Sequence, residues 1–197
     1  MQKNLLKAKQ MKLPINKELP HLDNIKVYKT EEEVVRRALC IYATLAISFG
    51  LEKVRGLNWL KEEGLIDSLT DQEKEMALHN KFEGFEIKVE ALWALAWALN
   101  LLKKIDYTCV CDDNLSSFFP KISQEEKTNN FKTKVKLRDL KELVVEADLV
   151  YCIHWGMVEN SLRGKKNEIP LYVIEERRRA IDWILYYESW EDVDLDT

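Results

Sequence analysis

Glu90-Ala91-Leu92-Trp93-Ala94-Leu95-Ala96-Trp97-Ala98-Leu99 is the stretch on which the reading of this chain turns. Glu90 is the one charge between Val89 and Leu99, and the run around it is apolar on nearly every side of a helical wheel, the mark of a central helix touched all round. The apolar run from Ala91 to Leu99 has about half of the roughly 20 residues that span a bilayer, so it predicts a core helix and no membrane span. A carboxylate on such a helix must find a partner or give up its charge.

A second stretch offers that partner. In Glu176-Arg177-Arg178-Arg179-Ala180-Ile181-Asp182-Trp183-Ile184-Leu185, a wheel at about 100° per residue gathers Val173, Ile174, Ala180, Ile181, Ile184 and Tyr187 into one arc. Arg177 lies near its centre and Glu176 on its flank, beside Trp183. Glu175, Arg179 and Asp182 fall on the far side and read as a solvated face. A guanidinium fork matches a carboxylate two hydrogen bonds at a time, which pairs Glu90 with Arg177. The favoured reading of that pair is a tie between helices; the functional one is an arginine, with Glu176 beside it, that takes a substrate carboxylate or phosphate.

Working outward, Thr30 with Glu33 is a capping box that opens a helix carrying Val34, Val35, Ala38, Leu39, Ile41, Tyr42, Leu45, Ala46 and Phe49 on one broad face, ended by Gly50. A second helix is expected over Glu52 to Glu63, capped by Gly64. Thr70 with Glu73 repeats the capping box and opens a short helix towards His79. The helix of Trp93 and Trp97 is expected from about Gly84 to Lys103. From Ile105 to Thr133 the pattern breaks into a long loop, in which Tyr107 to Cys111 reads as a short extended piece and Asp112-Asp113-Asn114 as turn chemistry. Leu137, Leu140, Val144, Ala147, Tyr151, Trp155, Val158 and Leu162 step by three or four to a stop at Gly164. Pro170 then stands at the start of a last helix running to about Glu188.

These segments predict an all-α fold: a multi-helix domain over 30–197 with at most one or two very short extended pieces, behind an irregular arm over 1–29 that packs back on it. At 197 residues the chain has enough length for one sizeable core. With 46% hydrophobic and 32% charged residues it lies outside the compositions that stay disordered. A formal net charge of −4 gives no general attraction to nucleic acid or anionic lipid. Met1 to Lys12 lacks the apolar core and cleavage site of a secretory signal, and four cysteines without a C-x-x-C fit reduced thiols, so a cytoplasmic protein is expected.

Few residues outside the Glu90 and Arg177 pair suggest chemistry. His154, a polar exception on an apolar helix with Asp148, reads either as a general base or as a core histidine held by hydrogen bonds. No G-x-S-x-G, H-E-x-x-H, phosphate-binding glycine loop or dinucleotide fingerprint occurs, so no cofactor is implied. Cys109 and Cys111 with Cys152 and His154 invite zinc, but residues two apart on a helix point about 200° from each other, which argues against a metal site. The tail alternates Asp192, Asp194 and Asp196 without the glycine of a calcium loop. Its carboxylates could meet the stretch from Lys121 to Lys141, where seven basic residues face three acids; that stretch reads as a solvated face, not a nucleic-acid surface.

Taken together, Glu90 to Leu99, His154-Trp155, Glu176-Arg177 with Ala180 and Trp183, Trp190-Glu191-Asp192-Val193 and the terminal Asp196-Thr197 resemble domain of unknown function 4272, a family of mostly bacterial proteins, over about Arg37 to the end. The resemblance implies one helical domain and no substrate, cofactor or catalytic residue. Departures from the family pattern are Ile87-Lys88 for its Trp-Arg, Val158 for an arginine after His-Trp, and Asp182 for an asparagine. The function expected on this reading is a helical binding or interaction module with a buried Glu-Arg-His polar network, its partner a protein. The alternative is an enzyme, a hydrolase or transferase acting on a small anionic substrate, with Arg177 and Glu176 binding and His154 or Glu90 as base.

Overall fold

The computed structural model describes residues 8–20, 25, 28–79 and 83–197. The remaining positions of the expected arm, 1–7, 21–24 and 26–27, lie outside the described residues, as do 80–82. After a helical turn at 8–10, the α-helices bounded by described residues are α1 (Glu31–Ser48), α2 (Lys53–Glu62), α3 (Asp71–His79), α4 (Val89–Ala98), α5 (Asn129–Lys134), α6 (Leu140–Leu162) and α7 (Leu171–Tyr186). Short 3₁₀ turns at Phe85–Lys88, Asp113–Phe118 and Ile122–Gln124 punctuate the connections. Among the described residues there is no strand, and the fold is all-α. The expected extended piece at Tyr107 to Cys111 is a turn followed by irregular chain, because its backbone is held by side chains and by no neighbouring strand.

Helix α7 lies between α4 and α6, and α1 packs on α4, α2 and α3. At ten residues α4 is too short to be stable alone. Burial holds it: Leu92, Leu95 and Leu99 are each no more than 1% exposed, and each contributes about 1.5–3 kcal/mol by leaving water. The helix stops at Ala98, short of Lys103, because Asn100 takes a left-handed conformation (φ +60°), which asparagine tolerates. Its last carbonyls are then capped from outside: Arg138 donates through Nε to Trp97 O (2.8 Å) and through its backbone N–H to Ala98 O (2.8 Å).

Both capping boxes form. Thr30 and Glu33 exchange hydrogen bonds at the start of α1, as do Thr70 and Glu73 at the start of α3. Three residues assigned to apolar faces are exposed instead, among them Leu140 at the first turn of α6. Phe49 sits at the C-cap of α1 and Leu162 in the last turn of α6, where no neighbour covers them.

The described part of the arm packs on α6. Leu19 joins Tyr151, Cys152 and Trp155 in a small apolar cluster. Gly156 permits the contact, since a Cβ there would come within 2.9 Å of Pro14 O.

Candidate functional site

The sequence pairs Glu90 with Arg177, and the structure joins them. Both side chains are at most 1% exposed. Arg177 donates through Nε and Nη2 to Glu90 Oε2, at 2.9 and 2.7 Å. Its Nη1 donates to Asp106 O (2.6 Å), its Nη2 also to Cys109 O (3.0 Å), and Glu90 Oε1 accepts from the Cys111 N–H (2.9 Å). The pair therefore ties α4 to α7 and also shapes the loop from 106 to 111. Tyr107 lies under the Arg177 guanidinium and donates to Glu146 (2.7 Å); burial and that carboxylate push its hydroxyl well above the usual tyrosine range. Burial, then the Glu90 carboxylate, raises the Cys111 thiol to about 12 against the opposing Arg177, so this thiol stays protonated.

Glu176 takes its charge partner from the residue before α4: Lys88 Nζ donates to Glu176 Oε1 at 2.9 Å.

His154 belongs to a different network. Its Nδ1 lies 2.8 Å from Arg178 Nη1, and because a guanidinium only donates, Nδ1 accepts and the proton sits on Nε2. Burial, then Arg178, lowers the imidazole to about 4, so it is neutral near pH 7 with its lone pair already engaged. Nε2 faces Glu175 Oε1 at 3.8 Å, beyond hydrogen-bond reach. Arg178 also donates to Asp182 Oδ2 (2.9 Å) and to the tail carbonyls of Leu195 (3.0 Å) and Asp196 (3.3 Å), and stacks over Tyr151.

Asp182, placed by the wheel on a solvated face, is buried at 4% exposed. The wheel is correct about direction and wrong about solvent, since α6 and the C-terminal tail cover that side of α7. Burial raises the Asp182 carboxyl to about 6 against the pull of Arg178. The tail is held through its backbone by Arg178 and Arg179, not by the basic stretch from Lys121 to Lys141. In that stretch Arg138 caps α4 and Lys127 pairs with Glu62.

Residue types alone did not single out Arg37 with Glu73, a buried ion pair between α1 and α3. The signal was half present: Glu73 closes a capping box, and the carboxylate that caps Thr70 also neutralises Arg37. The i, i+4 spacing of Arg178 and Asp182 was likewise visible, but nothing local marks it as buried.

Beside the Glu90 and Arg177 tie opens a groove of about 630 Å3. Its walls are Tyr42, Leu45, Ala46 and Phe49 of α1, Ile87, Val89 and Leu92 at the start of α4, and Val110 and Leu115 of the loop. Phe49 (64% exposed) and Val110 (49%) leave apolar surface in water at its edge. The charges that line it are all carboxylates: Glu86, Glu90, Asp112 and Asp113. Among the described residues no group of three or more His, Cys, Asp or Glu side chains stands close enough to hold a metal ion.

The sequence model of a family described as a domain of unknown function, DUF4272, matches residues 1–193 of the 197. The match takes in the arm, ahead of the resemblance that begins near Arg37, and leaves out Asp196-Thr197. No curated protein and no solved structure matches the chain.

Proposed function

The chain belongs to the DUF4272 family, whose description carries no activity, and from the geometry we propose that it is a binding module for an apolar, positively charged segment of a protein partner. The unit that binds is one helical domain over 30–197. The ligand surface is the groove beside α4, and the Glu90 and Arg177 pair serves as its rigid back wall.

One observation carries this reading: the apolar concavity of about 630 Å3 that borders the buried tie carries Glu86, Asp112 and Asp113 besides the paired Glu90, and no Lys or Arg among the described residues lines it. Apolar walls with a few charges of one sign favour a ligand that brings apolar side chains and the opposite charge. An enzyme that takes a small anion on Arg177 is the weaker reading. Every nitrogen of that guanidinium already donates inside the fold, and the His154 lone pair is spent on Arg178.

Calorimetric titration with two helical peptides of matched length, one of Leu and Lys and one of Leu and Glu, tests it. The Leu/Lys peptide binds saturably and the Leu/Glu peptide does not. Ala46→Trp, which fills the groove from α1, abolishes binding while the melting temperature holds. Failure of the Leu/Lys peptide to bind, or undiminished binding to Ala46→Trp, overturns the proposal.

A further inference from the structure

A second cavity, of about 460 Å3, lies between the N-terminal arm and the C-terminal end of α6. We propose that it binds a small phosphate-bearing ligand through Lys12, Lys165 and Lys166.

The charge distribution is the first support. The chain as a whole is acidic, at −4, yet these three lysines line one cavity whose single carboxylate is Glu168. Among the described residues none of the three makes an ion pair, whereas Arg163 on the same wall is already held by Glu159 at 2.6 Å. Three ammonium groups that share one cavity with a single carboxylate repel one another on balance, and a multiply charged anion between them turns that repulsion into attraction. Lysine is a point-charge binder of phosphate, well matched to such a group.

The way the lysines are presented is the second support. Gly164, at φ +67°, reverses the chain at the end of α6, and the Lys165 N–H returns to Asn160 O at 2.8 Å. Asn167 then latches the loop, donating to Met157 O (3.0 Å) and Ser161 Oγ (3.2 Å) and accepting from Asn160 Nδ2 (3.2 Å). On the opposite wall Lys12, at φ +58°, closes the helical turn over 8–11: its N–H donates to Lys9 O at 2.9 Å and the Leu13 N–H to Ala8 O at 3.2 Å. Walls drawn from the arm, the 107–108 turn and the 163–169 loop form an open concavity sized for a small ligand.

Inorganic pyrophosphate serves as the probe, titrated calorimetrically at fixed ionic strength against a sodium chloride blank, with citrate in a parallel arm. Saturable one-to-one binding of pyrophosphate is expected, weakened about tenfold or more in Lys165→Ala/Lys166→Ala. Lys132→Ala/Lys134→Ala, which removes two exposed cations elsewhere, leaves it unchanged. No heat beyond the blank, or equal binding by the Lys165→Ala/Lys166→Ala variant, overturns the site. Equal affinity for citrate overturns the assignment to phosphate. None of these results bears on the peptide groove, whose lining shares no residue with this cavity.

Discussion

Arg177 and Arg178 are neighbours in the chain and about 100° apart around α7, and that rotation sends them to separate networks. Arg177 meets Glu90 and two loop carbonyls; Arg178 meets His154, Asp182 and the tail. The second network titrates in opposing directions. His154 falls from 6.5 to about 4 on folding, so between those values the unfolded chain binds more protons, and stability is lost as pH falls through the window. Asp182 rises from 3.8 to about 6, so the folded chain binds more protons there, and stability is lost as pH rises. The two nearly offset each other between about pH 4 and 6. Asp182→Asn removes only the second contribution and should therefore steepen the rise of stability from pH 4.5 to 6.5. Urea midpoints at the two pH values measure this, and a slope equal to or shallower than that of the unchanged protein contradicts it.

At the scale of elements, the arm depends on one missing methyl group. Gly156→Val places a side chain against Pro14 O and Leu13, which overpacks the contact by about 1–3 kcal/mol. The arm should detach while the helices stay folded, and trypsin should then cut at Lys12 and Lys17 much faster than in the parent. Unchanged cleavage would show that the arm is held elsewhere. Most of this level was legible in the sequence. Two capping boxes, the left-handed glycines at 50, 64 and 164, and the apolar periods of α1, α6 and α7 are local signals, and those helices formed where the signal lay, whereas α5 (Asn129–Lys134) formed across the end of the stretch read as a long loop.

The misses have non-local causes. Asn100 ends α4 because the 136–138 chain caps it, and that segment lies far off in sequence. Asp182 is buried because the tail folds back over α7, which no wheel of α7 alone contains. The same limit governs the candidate site. Glu90 with Arg177 followed from one unpaired charge on each of two apolar faces, whereas the groove and the lysine cavity are assembled from segments that no spacing rule connects.

Across the whole molecule, charge is spent on joining helices. Arg37 with Glu73 links α1 to α3, Lys88 with Glu176 links the turn before α4 to α7, and Glu90 with Arg177 links α4 to α7 and fixes the 106–111 loop. Buried pairs of this kind contribute little over apolar replacements, yet they cost dearly when one member is lost. Among the cavities at the surface of that frame, one is acidic and apolar and one is basic.

A double-mutant cycle on Glu90 and Arg177, read by urea titration, tests most directly that this pair is a structural tie. Arg177→Met should lower stability by about 3–5 kcal/mol, because it strands a buried carboxylate, and adding Glu90→Gln should recover about 2 kcal/mol or more of that loss. A cost below about 1 kcal/mol for Arg177→Met, or a double variant that loses the sum of the two single losses, would contradict the account.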